Sequence, residues 1–211
     1  MKGPGVNTRE IGKNASRDTR LLLGSLGDEM PAPVPHPVLV VLNGLPGTGK
    51  SYFARRLADR VPLAVLGSDA LRKVLVRSPS YTPDESTRLF RALHKVIDLL
   101  LHRGIPVLVD ATNTRETHRE QLYEIARRHG ARAMAVLVDA PEATVRRRLE
   151  LRMAESPRRG NSGADWQVYR SLLTAWEPIG RDHLVVDTSR DILSAVDDLA
   201  REIDRYVRAG R

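Results

Sequence analysis

Short runs of apolar residues alternate along the chain with longer segments in which apolar residues recur every three or four positions. The runs predict strands at 38–42, 63–67, 107–109, 133–138 and 183–186, because a strand buried on both faces is continuously apolar. The intervening periodicity is typical of amphipathic helices that cover a core. This alternation of strands and helices predicts an α/β fold.

The first 37 residues lack this periodicity. They carry scattered basic residues and end in the proline-rich run 30–37, which favours an extended, polyproline-like linker. Acidic residues at Glu10, Asp18 and nearby positions argue against a transit peptide, which would be poor in acid. We therefore predict that residues 1–37 form a disordered basic arm and that the folded domain covers 38–211.

Length and composition limit the classes of protein. A chain of 211 residues that is 41% hydrophobic and 28% charged is large enough for one α/β core. It contains no cysteine, which excludes disulfides and thiolate chemistry, and its scattered histidines predict no metal cluster. No apolar run approaches the ~20 residues that span a bilayer, and no secretory signal is present, so we expect a cytoplasmic protein without a membrane partner.

A glycine-rich segment follows the first predicted strand and precedes an amphipathic helix. Its residues match the phosphate-binding pattern GxxxxGK[ST]: Gly44, Leu45, Pro46, Gly47, Thr48, Gly49, Lys50 and Ser51. Glycines let the backbone N–H groups curl inward, and the helix N-terminus adds partial positive charge where a triphosphate binds. The lysine of this motif contacts the β- and γ-phosphates, and its hydroxyl ligates Mg²⁺. The segment predicts a nucleoside-triphosphate site.

A second polar cluster follows the predicted strand at 63–67. Ser68 or Asp69 is placed to cap the next helix, with Arg72 one turn later on the same face. Capping alone would explain Asp69, but ligands of open α/β sheets collect outside the carboxyl ends of the strands. There a carboxylate can accept a proton from a hydroxyl while an arginine holds an anionic part of the same acceptor. We predict Asp69 as a general base and Arg72 as a substrate-binding residue.

The strand at 107–109 ends in a third cluster, Asp110-Ala111-Thr112-Asn113. An aspartate there, close to the phosphate-binding segment, suits a Mg²⁺ or water ligand of the Walker B type, although any strand can end in aspartate. We predict Ser51 and Asp110 as metal ligands and Asn113 as a substrate-binding residue.

An arginine-rich helix is predicted around 143–152. Apolar Val145 and Leu149 lie on one side and arginines elsewhere, which is also the pattern of a solvated basic face. Arg148 and Arg152 stand one turn apart before a segment of glycine, serine and arginine. Guanidinium groups neutralise the charge that develops on a transferring phosphoryl group. We predict a lid at about 142–164, with Arg148 and Arg152 as catalytic residues.

With these motifs in order, residues 38–209 resemble the P-loop kinases, in particular the small kinases related to polynucleotide 5′-hydroxyl kinases and zeta toxins. The resemblance rests on GLPGTGKS at 44–51, SDALR at 68–72, DATN at 110–113 and the arginine helix at 146–152. It implies a three-layer P-loop NTPase sandwich, with a five-stranded parallel sheet, the P-loop strand at its centre, helices on both faces and an arginine-bearing lid.

The resemblance also implies a role for each motif. Asp69 matches the base that deprotonates the acceptor hydroxyl, and Arg72 matches a residue that grips the acceptor's phosphate. The remaining matches are contacts to ATP, to Mg²⁺ and to the transferring phosphate: Lys50, Ser51, Arg148 and Arg152. ATP as the nucleotide follows from the resemblance, since no motif decides between ATP and GTP.

The sequence therefore predicts an ATP- and Mg²⁺-dependent kinase with a hydroxyl acceptor. A nucleic-acid 5′-hydroxyl end is the favoured acceptor, because of Asp69, Arg72 and a net charge of +8. Ala111 stands where polynucleotide kinases often carry an aspartate, which leaves the acceptor class open. The alternatives are a small hydroxyl compound, such as a sugar, nucleotide-sugar or antibiotic, and a nucleotide-gated ATPase switch that acts through a partner.

Overall fold

A parallel sheet of five strands, in the order β2-β3-β1-β4-β5, lies at the centre of the computed structural model, which describes residues 15–27, 30–155 and 165–209. The strands are β1 (Val38–Asn43), β2 (Ala64–Gly67), β3 (Val107–Asp110), β4 (Arg132–Asp139) and β5 (His183–Asp187). Strand β1 pairs with β3 on one side and β4 on the other. Since every pair is parallel, the carboxyl ends of all five strands meet at one edge.

The described part of the chain also contains eight helices. They are α1 (Arg17–Ser25), α2 (Lys50–Ala58), α3 (Ser68–Leu75), α4 (Pro83–His102), α5 (Glu116–Arg128), α6 (Glu142–Glu155), α7 (Trp166–Thr174) and α8 (Leu193–Ala209). One apolar core joins α1, α3, α4 and α5 to one face of the sheet, and a second joins α2 and α8 to the other. The predicted three-layer α/β fold is thus confirmed. None of the helices described combines the length and apolar character needed to cross a bilayer.

Two helix starts after β2 differ in how they are capped. Thr82 caps α4 by accepting a hydrogen bond from the Glu85 backbone N–H, with Pro83 in the first turn. Helix α3 instead has Gly67 as its N-cap and, among the described residues, no side-chain hydrogen bond at that cap. The prediction that Ser68 or Asp69 caps α3 is therefore wrong, and capping does not account for Asp69.

The prediction of a disordered arm at 1–37 is wrong for the described residues of that segment. Helix α1 begins after Ser16, whose hydroxyl accepts a hydrogen bond from the Thr19 backbone N–H. Leu22 and Leu23 are completely buried, in the core that α3 and α4 also line. A nine-residue helix is too short to show sustained periodicity, and packing rather than propensity stabilises it. Residues 1–14, 28 and 29 lie outside the described residues.

Candidate active site

The phosphate-binding segment forms a tight loop between β1 and α2. Gly44, Gly47 and Gly49 all have positive φ, at 146°, 83° and 97°, where a side chain is strongly disfavoured. A Cβ at Gly44 would lie 2.2 Å from the Val138 carbonyl oxygen. The Thr48 hydroxyl donates to the Leu45 carbonyl across the loop at 2.9 Å. The glycines of the motif are therefore required by the backbone itself.

Lys50, at the first position of α2, is the electrostatic centre of the site. Its Nζ donates to the Leu45 carbonyl at 2.9 Å. Burial lowers the pKa of Lys50, while the carboxylates of Asp110 and Asp69 act in the opposite direction and Arg152 adds to the lowering. The fold thus brings three of the other predicted site residues within electrostatic reach of this ammonium group. They come from three different elements, α3, the end of β3 and α6.

Ser51 and Asp110 form the predicted metal-binding pair. The Ser51 hydroxyl donates to Asp110 Oδ2 at 2.6 Å, because Asp110 is in register with Leu42 near the end of β1. Hydroxyl and carboxylate oxygens are ligands that Mg²⁺ accepts, and Mg²⁺ in phosphoryl-transfer sites completes its shell with water and phosphate oxygens. Although no group of three or more His, Asp or Glu side chains suited to a metal occurs among the described residues, this pair fits a Mg²⁺ carried by a nucleotide.

Arg72 is held by α4. Its Nη1 donates to Glu85 at 2.6 Å, in an ion pair whose two side chains are each only 8% exposed, and its Nη2 donates to the Ser86 hydroxyl at 3.3 Å. The guanidinium therefore ties α3 to α4. Asp69, one turn earlier on α3, is exposed. The predicted contact of Arg72 with an acceptor phosphate stays a prediction.

Tyr81 is a neighbour of Arg72 that the sequence does not single out. It lies in the loop between α3 and α4, has φ of 56°, and its ring centroid lies 4.8 Å from the Arg72 guanidinium carbon. A positive φ is rare for an aromatic residue and indicates a conformation that the surroundings enforce. Glu85 fastens this loop by accepting hydrogen bonds from the backbone N–H and hydroxyl of Ser80. Tyr81 thus stands beside the helix that carries Asp69, with its side chain 38% exposed.

Asn113 holds the loop after β3 in place. It is buried, with φ of 50°, and its Nδ2 donates to the Leu42 carbonyl at 2.9 Å. The amide therefore fastens the loop after β3 to the end of β1. The predicted contact of Asn113 with a substrate stays a prediction.

Arg119 holds the same loop through a hydrogen bond to the Asn113 carbonyl. This guanidinium is completely buried and donates to the Asn113, Glu177 and Pro178 carbonyls at 2.7 to 2.8 Å and to the Glu116 carboxylate. It joins the loop after β3 to the segment that follows α7. Sequence reasoning missed Arg119, since the only local signal is its spacing of three residues from Glu116, which is ordinary on a solvated helix.

The two predicted lid arginines lie in different surroundings. Arg148 donates to the hydroxyl and carbonyl of Thr188, both at 2.8 Å, and to the Gly47 carbonyl at 3.3 Å. Thr188 in turn donates to the Thr48 carbonyl, so this pair clamps α6 and the turn after β5 onto the P-loop. Arg152, one turn further along α6, is exposed and lies near enough to Lys50 to lower its pKa. The remainder of the predicted lid, 156–164, lies outside the described residues.

Val145 and Leu149 complete the docking of α6. Both are fully buried, and a Cβ on Gly47 would lie 2.9 Å from Val145 Cγ1 and 3.1 Å from Leu149 Cγ. The apolar side of the arginine helix therefore packs directly on the P-loop. The first half of the predicted lid therefore belongs to the P-loop site. The docking of α6 places Arg148 and Arg152 next to the P-loop.

Comparisons with known proteins agree with this geometry. The family described as AAA domain matches residues 39–175. A probable adenylyl-sulfate kinase of Aeropyrum pernix is 24% identical over 161 residues, which cover 74% of this chain and 86% of that protein. The structure of the Mycobacterium tuberculosis APS kinase in complex with AMPPNP and APS is similar with a TM-score of 0.61, at 22% identity, over 81% of this chain and 99% of the other.

A gluconokinase from Sinorhizobium meliloti 1021 has a similar structure, with a TM-score of 0.56 and 19% identity over 81% of this chain and 94% of the other. These likenesses confirm the predicted P-loop fold. The relatives also support the predicted class of enzyme, a phosphotransferase with a hydroxyl acceptor that uses ATP and Mg²⁺. They lend no support to a nucleic-acid 5′-hydroxyl acceptor.

Proposed function

Since the chain belongs to the AAA domain family, we propose that it is an ATP- and Mg²⁺-dependent kinase whose acceptor is the hydroxyl group of a small molecule. The observation that carries the proposal is the convergence of Asp69, Asp110 and Arg152 on Lys50 at the P-loop. A cation, a metal-binding pair and an exposed carboxylate at one strand edge are the parts that phosphoryl transfer to a hydroxyl requires.

In the proposed reaction the acceptor oxygen attacks the γ-phosphorus as the bond to the β–γ bridging oxygen breaks. Asp69 takes the proton of the acceptor hydroxyl, and ADP leaves with the bridging oxygen. Lys50 and Arg152 stabilise negative charge on the phosphate oxygens. Mg²⁺ bound at Ser51 and Asp110 would neutralise charge shared by the β- and γ-phosphates.

The surroundings of Arg72 favour a small acceptor over a nucleic-acid end. The polynucleotide hypothesis needs this guanidinium for an acceptor phosphate, and the structure has it in a nearly buried ion pair with Glu85. The similar proteins include kinases of adenylyl sulfate and a gluconokinase, which phosphorylate small molecules. Tyr81, whose ring lies against the Arg72 guanidinium one helical turn from Asp69, is exposed and carries no charge, which suits a compact acceptor.

Transfer of label from γ-labelled ATP tests the proposal. The enzyme and Mg²⁺ are incubated with adenylyl sulfate, with gluconate, with a 5′-hydroxyl oligonucleotide, or with no acceptor. We expect label in one of the small compounds and none in the oligonucleotide. Replacing Asp69 by Asn should slow transfer by roughly 10²- to 10⁴-fold, the usual contribution of a general base, with ATP affinity nearly unchanged.

Two other outcomes have clear meanings. Labelled oligonucleotide that disappears in the Asp69→Asn variant would restore the acceptor that the sequence favours. Phosphate release without any labelled acceptor would support the nucleotide-gated ATPase instead. Lys50→Ala, which removes the central cation, should weaken both ATP binding and turnover, and unchanged turnover in that variant would refute the kinase proposal itself.

A further inference from the structure

A second cavity lies away from the P-loop, between α1, α4 and α5. Its volume is about 640 Å³, within the range of roughly 300 to 1,000 Å³ that is usual for small-molecule sites. Its wall consists of side chains from residues 15–19, from residues 88–98 of α4, and from Ile125 and Arg128 of α5. Residues 15–19 precede position 39, where the family match begins, so the family domain alone would not form this cavity.

The wall of the cavity carries more positive than negative charge. Arg88 is paired with Asp18 through two hydrogen bonds of 2.7 Å. Asp98 is shared by Lys95 at 2.8 Å, by Arg128 at 3.3 Å and by His129 at 2.8 Å. One carboxylate therefore serves several basic groups, which leaves their charge only partly neutralised.

Arg91 makes no ion pair with any of the described residues, although it lies on α4 between Arg88 and Lys95. Four side chains that are positively charged at neutral pH thus line the cavity together with two carboxylates. Such an excess would attract an anion of charge −2, and arginine binds phosphate oxygens through two parallel N–H bonds.

The rest of the wall suits the same ligand. The exposed hydroxyl of Ser16 can donate to a phosphate oxygen when it accepts from Thr19 Oγ1, 2.9 Å away, and Ala92 and Ile125 supply apolar contacts for an organic group. We propose that this cavity binds a small phosphate-bearing metabolite, at a site separate from the P-loop. Because its wall joins α1 to α4 and α5, a bound phosphate would hold α1 in place, and α1 also packs against α3, the helix of Asp69.

The test is a titration with inorganic phosphate at constant ionic strength, followed by NMR of the His94 imidazole. His94 lines this cavity, so phosphate that binds at the P-loop does not perturb it directly, and its signal is assigned with a His94→Gln variant. We expect a saturable shift of that signal. Arg91→Glu should weaken the apparent affinity by about tenfold or more, because it replaces an attraction by a repulsion at close range.

Arg205→Glu is the matched control, since Arg205 is exposed on α8 across the sheet and the substitution changes the net charge equally. Its phosphate affinity at His94 should equal that of the unmodified protein. A non-saturable shift, an unchanged affinity in Arg91→Glu, or an equal loss in both variants would overturn the proposal. None of these readouts depends on kinase activity, so the experiment tests the phosphate site separately from the proposed reaction.

Discussion

Arg148 and Arg152 have the same side chain one helical turn apart, and the structure predicts different consequences for their removal. Arg148→Ala deletes hydrogen bonds to Thr188 and to the P-loop carbonyl of Gly47, so we expect a loss of roughly 2 to 3 kcal/mol in the free energy of unfolding. Arg152→Ala should change this free energy by less than about 0.5 kcal/mol and lower kcat by about 100-fold. Urea unfolding and steady-state kinetics measure the two effects.

Arg147 provides the control for this comparison, because it is exposed on the same helix. Its replacement by Ala should leave both stability and kcat nearly unchanged. Equal destabilisation by the Arg148 and Arg152 substitutions would contradict the assignment of the clamp to Arg148. A normal kcat in Arg152→Ala would remove this arginine from the proposed transition state.

Glu85 gives the stability of the protein a specific acid dependence. Hydrogen bonds from Ser80 and the ion pair with Arg72 lower the pKa of Glu85 from 4.5 to about 2. Since the folded-state pKa lies below the unfolded value, the stabilisation is fully present above about pH 4.5 and is lost as the pH falls toward 2. The difference in Tm between the unmodified protein and Glu85→Gln should therefore be constant from pH 5 to 8 and shrink below pH 4.5.

Glu150→Gln is the control for the pH series, because its ion pair with Arg146 is about 60% exposed and contributes little. Thermal unfolding followed by circular dichroism at each pH gives the comparison. A Tm difference for Glu85→Gln that persists unchanged to pH 2 would show that the carboxylate is not held by these bonds.

The sequence predicts individual site residues where their chemistry is local. The P-loop is one continuous segment, so Gly44, Lys50 and Ser51 could be assigned from spacing alone. Arg119 and Thr188 could not, because Arg119 also bonds to the Glu177 carbonyl, 58 residues away, and Thr188 bonds to Arg148, 40 residues away. The same limit applies to the bond between the Asn113 amide and the Leu42 carbonyl of β1, 71 residues earlier, which no local pattern predicts.

At the scale of elements, α1 is the part of the described fold that the sequence does not predict. It becomes a helix because its apolar side is covered, and Leu22 is completely buried whereas its neighbour Leu21 is 42% exposed. Leu22→Ala should therefore lower the free energy of unfolding by roughly 2 to 5 kcal/mol. Leu21→Ala, the matched control, should change it by less than about 0.5 kcal/mol.

Chemical denaturation of both variants measures this difference. Equal, small effects would show that α1 is not docked on α3 and α4 in solution.

Elements with a strong local pattern can be predicted from the sequence. Strand β1 and helix α4 have strong apolar patterns of their own, and α4 also has a local cap at Thr82. The boundaries of such elements follow from the pattern, but the packing of a two-turn helix follows only from the tertiary structure.

At the scale of the whole molecule, strand order rather than any motif assembles the site. Asp110 is in register with Leu42 on one side and with Gly67 on the other. The end of β2, which leads into Asp69, and the end of β1, which leads into the P-loop, therefore flank the same carboxylate. Motifs that are about 20 to 60 residues apart in the chain converge because three parallel strands end together.

Binding of ATP and Mg²⁺ would contact several of these elements at once and should stabilise the whole domain. With ligand at 100 times its Kd, mass action adds about 2.7 kcal/mol, which for a chain of this length raises Tm by roughly 5 to 10 °C. Asp110→Asn should reduce the part of this Tm shift that requires Mg²⁺, because it weakens the Ser51–Asp110 pair. Lys50→Ala should reduce the Tm shift whether or not the metal is present. Differential scanning calorimetry with ATP alone and with ATP and Mg²⁺ separates the two contributions, and equal shifts under both conditions in the unmodified protein would contradict the metal site at Ser51 and Asp110.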